Sequence, residues 1–296
     1  MKLVLAVSGG VDSVVLLHKF WKKFENNQLV VAHFDHGMRT DSAADARFVE
    51  SLASLYGLPF ESERQELGAC ASEATARRAR YGFLKNVAKK HDATIVVAHH
   101  ADDVVETIAI NLQRGTGWRG LAVMGDQSIQ RPLLRFSKAQ LIDYALKNRL
   151  EWVEDETNQT TLYLRNRLRK SLHGFSSANG VELGNLRTRQ VILARQIQDE
   201  IDKLLRDNQA SMRYFLININ QATADEMLRT ILTQTTGNSY TRPQRSRMLM
   251  FIKVGRAGSR FALDRDYFLS LTAEEFKIES IKTCLLYTSP SPRDRG

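Results

Sequence analysis

The feature that most constrains this chain lies at its N-terminus, where an apolar run leads directly into a glycine loop. The run is Leu3–Val7, and the loop reads SGGVDS over Ser8–Ser13. Two glycines let backbone N–H groups approach an anion without an intervening Cβ, and a helix that starts after the loop directs its positive end to the same place. The string predicts a phosphate-binding strand–loop–helix unit. It lacks the Gly-Lys-Ser/Thr of a Walker loop, and an ordinary strand-to-helix turn is the alternative.

Each polar side chain of the loop has an expected task. Ser8 and Ser13 add hydroxyl donors to the backbone N–H groups of the two glycines. Asp12 is expected to cap the following helix and to help hold a metal ion that the phosphates carry.

Strand-like and helix-like segments alternate over the first 150 residues. Four apolar runs are typical of parallel strands covered on both faces: Leu3–Val7, Leu29–Phe34, Thr94–His99 and Ile129–Leu133. Helices are predicted over Asp12–Asn26, Ser42–Tyr56, Ser72–His91, Asp102–Gln113 and Ser137–Arg149. The alternation predicts a doubly wound α/β fold with a parallel sheet, whose ligands bind at the carboxyl ends of the strands.

The pattern changes after about residue 175, which predicts a smaller, mainly helical second domain. Ser176–Gly180 is a small polar stretch typical of a linker. Helices are predicted over Leu186–Asn208, Thr223–Thr233 and Arg242–Lys253, with a β-like ending at Arg260–Leu271. The predicted division is therefore a catalytic domain over 1–175 and a basic helical domain over 176–283. Residues 284–296 resemble translated sequencing-adapter read-through and are set aside as non-native, which would leave the natural C-terminus missing.

The charge of the chain is unevenly distributed. The net charge is +9, and residues 160–260 alone carry 17 Lys and Arg against 7 Asp and Glu. A basic half beside a near-neutral half predicts a polyanionic partner such as nucleic acid. A surplus of charge that serves solubility is the alternative.

Membrane and disulfide classes are disfavoured by the composition. No apolar run approaches the roughly 20 residues that span a bilayer, and the N-terminus does not resemble a signal peptide. The two cysteines, Cys70 and Cys284, are too far apart in sequence for a Cys-x-x-Cys site and too few for a disulfide framework. The cytoplasm is the expected location.

A carboxylate pair follows the third predicted strand. Asp103 and Glu106 are three residues apart on one predicted helix, so both face the same way, and Asp102 begins that helix. Such a pair at a nucleotide crevice can hold an amine or organise a metal ion. The alternative is a solvated helix start, where acidic residues are favoured by the helix dipole.

Two further clusters are candidates for contacts with a nucleotide. His33, Asp35, His36 and Arg39 follow the second strand in a spacing that matches no standard zinc pattern. They are expected to position a nucleotide or a substrate base, unless the histidines belong only to the core or the loop. Separately, basic residues and Tyr81 share a predicted helix suited to phosphate or nucleic acid, or to plain solvation: Arg77, Arg78 and Arg80.

Two basic segments lie further along the chain. The glycine-rich loop Arg114–Leu121 includes Arg119 and is expected to approach a phosphodiester or the ATP tail, unless it is a flexible connector. An acidic turn then leads to a basic helix that is expected to form an inter-domain latch or an RNA contact, with an ordinary charged helix as the alternative. Its arginines are Arg165, Arg167 and Arg169.

Taken in order, these strings resemble the tRNA(Ile)-lysidine synthetase family of PP-loop ATP pyrophosphatases. The resemblance is dense over about residues 1–170 and looser as far as Leu263. The matching strings are LAVSGGVDS (Leu5–Ser13), AHFDHGMR (Ala32–Arg39), EATARRARY (Glu73–Tyr81), AHHADDVVET (Ala98–Thr107), RGTGWRGL (Arg114–Leu121), RPLL (Arg131–Leu134), WVEDETN (Trp152–Asn158) and YLRNR (Tyr163–Arg167). The loop alone occurs in many enzymes, whereas the ordered set is specific.

The resemblance implies a reaction in two steps. ATP, with Mg2+, adenylates carbon 2 of the wobble cytidine in an isoleucine tRNA with a CAU anticodon, and pyrophosphate leaves. The ε-amine of free L-lysine then attacks, AMP leaves, and the lysidine product reads AUA instead of AUG.

The resemblance also assigns roles to residues of this chain. The implied ATP-binding residues are Ser8, Gly9, Gly10, Val11, Asp12, Ser13 and His36, with Asp12 near the Mg2+. The implied catalytic residues are Asp103 and Glu106, which would also bind lysine, together with Asp35, Arg77 and Arg80. The implied tRNA contacts are Arg114, Arg119, Arg165, Arg167 and Arg169.

The chain departs from the family in two respects. Val104 stands where the family commonly has Gln, which removes a hydrogen-bonding side chain beside the carboxylates. Many members also carry a further C-terminal domain, for which this sequence is too short; it is expected either to resemble the short form of the family or to have lost that domain together with the natural C-terminus. The oligomeric state is open, and a homodimer is one option.

Three rival functions stay open. A tRNA cytidine thiolase needs paired cysteines near its crevice, and Cys70 stands alone in that half of the chain. A small-molecule amidating synthetase would not need the basic second half. A non-catalytic tRNA-binding module would keep tRNA binding without ATP turnover.

Overall fold

The computed structural model describes residues 2–37, 42–66, 68, 72–154, 177–206 and 211–281. The chain divides into two compact units, Met1–Ile192 and Leu193–Gly296. The domain boundary near residue 175 stays a prediction. No helix in the described ranges is long and apolar enough to cross a membrane.

A five-stranded parallel sheet forms the centre of the first unit. Its strands are β1 (Lys2–Ala6), β2 (Leu29–Asp35), β3 (Phe60–Arg64), β4 (Ala93–Val96) and β5 (Ile129–Gln130), arranged β3-β2-β1-β4-β5. Leu3 of β1 lies opposite Leu29 on one side and Thr94 on the other. The polar segments that follow β2, β1 and β4 therefore meet at one edge of the sheet, as the doubly wound prediction requires.

The first unit contains the helices α1 (Val11–Trp21), α2 (Ser42–Leu55), α3 (Glu73–His91), α4 (Ala101–Gln113) and α5 (Lys138–Lys147). Helices α1, α2 and α5 cover one face of the sheet and α3 covers the other, whereas α4 packs in a small separate cluster with Val123. Alternate residues of β1 point to opposite faces. Leu3 and Leu5 join a core with α1, α2 and α5, whereas Val4 joins a second core with α3. Two short 3₁₀ turns lie at Asn26–Gln28 and Trp118–Leu121. The predicted fold class is confirmed.

Several predicted boundaries need correction. Strand β3 was not predicted, because the FESER sequence of this edge strand is mostly exposed and charged. The strands that begin at Ala93 and Ile129 end at Val96 and Gln130, earlier than predicted. Residues 177–180 are helical rather than a linker. Small polar residues are favourable at a helix start. The helix extends over them because the long amphipathic segment that follows stabilises it.

The second unit combines helices with a small antiparallel sheet. Helix α6 (Ser177–Arg206) begins in the first unit, and α7 (Arg213–Asn218), α8 (Gln221–Thr236) and α9 (Arg242–Val254) follow. Three antiparallel strands complete it in the order β6-β7-β8: β6 (Arg260–Ala262), β7 (Tyr267–Leu271) and β8 (Phe276–Ser280). The mainly helical prediction holds, and the sheet extends further than the predicted β-like ending.

A buried arginine connects the helices of the second unit to its sheet. Arg213 donates from Nε to the Ile252 carbonyl (2.8 Å), from Nη1 to the Thr272 carbonyl (3.0 Å) and from Nη2 to the Gly255 carbonyl (2.6 Å). Its own backbone N–H donates to the Glu274 carbonyl at 2.7 Å. A buried guanidinium is costly unless it is paired, and carbonyl acceptors supply the partners here.

Candidate active site

The glycine loop after β1 is held by its own serines. The Ser8 N–H donates to Ser13 Oγ at 3.1 Å, and Ser13 Oγ donates to the Gly10 carbonyl at 2.8 Å. Gly9 has φ +93°, a left-handed conformation that a side chain disfavours. A Cβ at Gly9 would meet its neighbours only at ordinary distances of 3.5 Å or more. Glycine is therefore required here by backbone conformation rather than by lack of space.

A distant segment fixes the far side of the loop. The Val153 N–H donates to the Gly9 carbonyl at 3.0 Å. Trp152, next to it, packs against the core beneath α1, α2 and α5. The start of the predicted Trp152–Asn158 motif thus supports the loop, and residues 155–158 lie outside the described residues.

Helix α1 begins directly after the loop without a side-chain cap. Its N-cap residue is Gly10, which has no side chain to occupy the first-turn N–H groups. Those groups and the helix dipole suit an anion. The prediction that Asp12 caps the helix is wrong. Asp12 lies within the first turn, and its carboxylate accepts two hydrogen bonds from Lys138 Nζ, at 2.9 Å to Oδ1 and 2.7 Å to Oδ2.

The start of α4 brings a second set of polar groups beside Asp12. His100 is the N-cap residue, and its backbone N–H donates to Asp103 Oδ2 at 3.0 Å. The His100 ring is 5% exposed, and its Nε2 lies 3.7 Å from Asp12 Oδ2 and 3.6 Å from Asp103 Oδ2. Its Nδ1 is buried and makes no hydrogen bond within the described residues. His100 therefore lies between the carboxylate of the phosphate loop and the first carboxylate of α4.

The predicted carboxylate pair lies where these helices start. Asp103 is half-buried and Glu106, one turn later, is only 3% exposed. Asp102, beside them, accepts a hydrogen bond from the Lys138 N–H at 3.0 Å. Val104 is buried with Ile108 and Val123 in a small apolar cluster. The residue that departs from the family pattern thus serves packing.

Two polar residues near the C-terminal end of β2, His33 and Asp35, have different structural roles. The buried Asp35 accepts a hydrogen bond from the Gly37 N–H at 2.8 Å and lies 3.7 Å from Arg64 Nε, so it shapes the turn beyond the strand. His33 donates from Nδ1 to the Val7 carbonyl at 2.9 Å. This bond ties β2 to the end of β1, and the expectation that His33 positions a ligand gives way to a structural role.

His36 differs from His33, because its Nδ1 is buried without a hydrogen bond within the described residues. Its ring meets Phe34 edge-on, with 4.9 Å between the ring centroids. Burial, followed by the charge of Arg80, lowers the pKa of His36, so the ring is neutral near pH 7. Arg39 lies outside the described residues.

His99 is a second neutral imidazole at this edge. Burial lowers its pKa to about 4, against an opposing effect of Asp103, and Arg131, Arg77 and Arg80 add to the lowering. Arg131 donates from Nε to His99 Nδ1 at 3.3 Å. Because that nitrogen accepts, Nε2 carries the proton of the neutral ring.

The predicted arginines of α3 act on the same edge. Arg77 and Arg80 stack against Tyr81, with 4.7 and 5.6 Å from guanidinium carbon to ring centroid. Their charges lower the pKa of His99, and that of Arg80 also lowers the pKa of His36. The structure therefore brings α3 beside the ends of β2 and β4.

The loop after α4 is held by hydrogen bonds of its own, which a plain flexible connector would lack. The Thr116 hydroxyl donates to the Asn111 carbonyl at 2.7 Å, and the Asn111 side chain donates to the Gly120 carbonyl at 2.9 Å. Arg114 is exposed at the helix end, and Arg119 stacks on Trp118 at 4.6 Å. The other predicted tRNA contacts, Arg165, Arg167 and Arg169, lie outside the described residues.

Sequence reasoning gave no role to several residues of this site, among them His99, His100, Lys138 and Arg131. Lys138 is paired with Asp12 across 126 positions, a contact that no local pattern reveals. A basic residue at the first position of a helix, against the dipole, was the available signal. Arg131 belongs to the RPLL string, but its bonds to His99 and to the Asp126 carbonyl (2.9 Å) were not foreseen.

Comparison with known proteins places the first unit in a family. The model of the PP-loop domain matches residues 1–174. Two similar proteins are tRNA(Ile)-lysidine synthases, from Exiguobacterium sibiricum (40% identity, 57% of this chain and 42% of the relative) and Thermotoga maritima (37% identity, 56% and 43%). The bifunctional protein TilS/HprT of Listeria monocytogenes is 40% identical over 59% of this chain and 29% of its own length. The chain thus spans less than half the length of these relatives.

A solved structure supports the same architecture. The U34-tRNA thiolase NcsA from Methanococcus maripaludis, determined with its [4Fe-4S] cluster, superposes with a TM-score of 0.53 at 16% identity, over 64% of this chain and 72% of that one. At this identity the likeness concerns the fold alone. The loop, the parallel sheet and the match over residues 1–174 lead to one conclusion: this chain belongs to the PP-loop domain family, an ATP-binding family.

Proposed function

We propose that this chain is an ATP-dependent ligase that converts the wobble cytidine of a CAU-anticodon isoleucine tRNA to lysidine. The observation that carries the proposal is the position of the Asp103–Glu106 carboxylates beside the phosphate loop, with His100 within 3.7 Å of both Asp12 and Asp103. An acceptor for an amine thus adjoins a site for a triphosphate. The names of the relatives from Exiguobacterium sibiricum and Thermotoga maritima support the same reaction.

The loop binds the triphosphate in the first step. The free first-turn N–H groups of α1 and the Ser8 hydroxyl would face the phosphates and stabilise the charge that develops on the leaving pyrophosphate. Ser13, whose hydroxyl donates to the Gly10 carbonyl, would act by holding the loop in shape. Magnesium enters with ATP as part of the substrate, since it binds through one or two carboxylates plus phosphate oxygens. No cluster of three or more metal-ligating side chains exists within the described residues, and Asp12 is the residue of the loop proposed to contact the ion.

The target base is activated at carbon 2 and flanked by the ends of β2 and α3. In this proposal the carbon 2 oxygen of the cytidine attacks the α-phosphorus of ATP and pyrophosphate leaves. Asp35 shapes the turn that carries His36, the neutral His36 ring offers a hydrogen bond to the nucleotide, and Arg77 and Arg80 contact phosphate.

Lysine is bound and deprotonated by the carboxylates of α4. Asp103 and Glu106 pair with the ε-ammonium, and one of them accepts a proton, because only the neutral amine is a nucleophile. The new bond forms between the amine nitrogen and carbon 2, and the bond from carbon 2 to the AMP oxygen breaks. The burial of Glu106 strengthens its attraction for a cation.

The tRNA is held by basic residues on more than one element. Arg114 and Arg119 follow α4 directly, and the arginines at 165, 167 and 169 together with the basic second half supply further phosphate contacts. The location is proposed to be the cytoplasm. A homodimer stays a prediction that light scattering coupled to gel filtration would test.

The direct test is to form the product. The protein is incubated with ATP, magnesium, L-lysine and an unmodified CAU-anticodon isoleucine tRNA, and the nucleosides are analysed by mass spectrometry. The expected result is a cytidine–lysine adduct that requires both lysine and ATP and does not form on a methionine tRNA with the same anticodon. Binding of the tRNA by a folded protein without any adduct would reject the ligase in favour of an RNA-binding module.

A further inference from the structure

Lys138 occupies a fixed position between three helix starts. It is the first residue of α5, after the N-cap Ser137, whose N–H donates to Gln140 Oε1 at 2.9 Å. The Lys138 N–H donates to Asp102 Oδ2 at the start of α4. Its ammonium reaches Asp12 at the start of α1. The backbone of Lys138 is thus held while its side chain extends to the phosphate loop.

The ion pair with Asp12 does not by itself account for a lysine at this position. The side chains of Lys138 and Asp12 are 40% and 26% exposed, and ion pairs in such surroundings stabilise a protein little. A cation at a helix N-terminus is also opposed by the helix dipole. A residue that breaks a local rule without a large gain in stability suggests a functional role.

The charges around the phosphate loop indicate what the function of Lys138 is. Asp12, Asp102 and Asp103 start two of the three helices, so the site carries several negative charges beside a loop built for an anion. A triphosphate that enters the loop is repelled by these carboxylates unless a cation lies between them. Lys138 is a cation already in contact with the helix of the loop, at 2.7 Å from Asp12.

We propose that Lys138 is a phosphate-binding residue of this site. Asp12 keeps the ammonium beside the loop, and an incoming triphosphate competes for it, so that Lys138 binds phosphate oxygens beyond the α-phosphate and stays with the pyrophosphate as it leaves. The half-exposed side chain has the freedom that this exchange needs. This inference rests on the proposed function only in that the loop takes a nucleoside triphosphate.

The test compares ligands that differ in phosphate number. Binding of ATP, pyrophosphate, AMP and adenosine to the full chain is measured by isothermal titration calorimetry for the wild type, Lys138→Met and Lys138→Arg. The matched control is Lys147→Met, because Lys147 lies on the same helix and also pairs with an aspartate at 2.7 Å, in solvent. The folded state of each variant is checked by circular dichroism.

Lys138→Met is expected to weaken ATP and pyrophosphate binding about 10- to 100-fold, the effect of one charge-assisted hydrogen bond. Adenosine affinity is expected to stay unchanged. Lys138→Arg retains ATP affinity to within about threefold because the charge is kept, and the control behaves as the wild type. Equal weakening of ATP and adenosine would show that Lys138 only supports the fold, and unchanged ATP and pyrophosphate binding would also overturn the proposal.

A second variant tests the competition. Without magnesium, Asp12→Asn is expected to strengthen ATP binding, because it frees the ammonium and removes a repulsive charge, and most of that gain should vanish in Asp12→Asn/Lys138→Met. A gain of the same size in the double variant would contradict the exchange.

Adduct formation by the wild type separates the two proposals. If the wild type forms no adduct but binds ATP in a way that depends on Lys138, the proposed ligase function is rejected and the phosphate-binding role of Lys138 is retained. If it forms the adduct while Lys138→Met binds ATP and pyrophosphate normally, the Lys138 proposal alone fails.

Discussion

Buried polar residues in the two units are satisfied in different ways. In the second unit, each terminal nitrogen of the buried Arg213 guanidinium, and its Nε, donates to a backbone carbonyl. At the edge of the parallel sheet in the first unit, the buried nitrogens His36 Nδ1 and His100 Nδ1 have no hydrogen bond within the described residues. A fold does not gain from leaving such groups unpaired, since each costs about 1–3 kcal/mol.

Arg213 thus stabilises the fold, whereas the two histidines belong to the site for which we propose nucleotide binding. Arg213 is part of the packing between α7, α9 and the small sheet. His36 follows β2 directly and His100 lies in the segment that follows β4, at the edge where a doubly wound sheet binds its ligand. Unpaired buried groups in a native structure call for an explanation, and the function proposed above offers one in a nucleotide bound at this edge of the sheet.

The largest effect is expected at Asp103, where a substitution should reduce activity without reducing stability. Asp103→Asn keeps an oxygen that can accept the His100 N–H but removes the negative charge. We expect lysine-dependent adduct formation to fall about 10²- to 10⁴-fold, the range for loss of a proton-accepting group. ATP affinity should not fall, because the lost carboxylate only repels the triphosphate, and the melting temperature should change little. Asp143→Asn, an exposed aspartate on α5, is the matched control. A variant with near-normal adduct formation would remove Asp103 from the mechanism.

The opposite behaviour is expected at Arg213. Arg213→Met leaves the Ile252, Gly255 and Thr272 carbonyls without their donor, which should lower the free energy of unfolding by about 3–5 kcal/mol. Urea unfolding followed by circular dichroism measures this, with the exposed Arg242→Met as control. ATP binding to the first unit should persist at low urea. Loss of ATP affinity without loss of stability would reverse the assignment of Arg213 to the fold.

The neutral His99 predicts a pH dependence of stability. Its pKa is about 4 in the folded chain against an ordinary 6.5. The unfolded chain therefore takes up a proton below about pH 6.5 that the folded chain refuses until about pH 4. The stabilisation is complete above pH 6.5 and is lost as the pH falls to 4, by about 3 kcal/mol at most. In His99→Gln, which can still accept from Arg131, the free energy of unfolding should fall less steeply in this window. Parallel curves for the two proteins would refute the assignment.

The smallest effect tests a residue beside the carboxylates that serves only packing. Val104→Gln restores the residue common in the family but places an amide in the apolar cluster with Ile108 and Val123. We expect stability to fall by about 1–3 kcal/mol, measured by thermal unfolding, with little change in adduct formation. A clear rise in adduct formation would mean that position 104 contributes a hydrogen bond to the site. Val123→Thr, a smaller polar change in the same cluster, is a suitable comparison.

Sequence patterns predicted the elements that are determined by residues close together in the chain. The buried strands β1 and β2 and the helices α2, α3 and α4 follow from apolar periodicity, and the loop follows from its two glycines. The edge strand β3 escaped because its residues are charged and exposed. The helical state of residues 177–180 was not predicted because small polar residues are equally common in linkers and at helix starts.

Contacts between positions far apart in the sequence limited how much of the site could be predicted. The spacing of Asp103 and Glu106 foretold their common face, but the Lys138–Asp12 pair spans 126 positions. The structural role of His33 depends on the Val7 carbonyl of the neighbouring strand. Such pairings depend on strand order and register, which single-sequence patterns do not specify.

The hydrogen bond from Val153 to the Gly9 carbonyl has a consequence for synthesis of the protein. Gly9 leaves the ribosome early, whereas Val153 is added 144 residues later, roughly 7–30 seconds at about 5–20 residues per second. Over that interval the loop lacks the partner that supports its far side. The nascent chain therefore completes the support of its glycine loop late, after most of the surrounding sheet can already have formed, and a ribosome stalled before residue 153 would display a loop without that support.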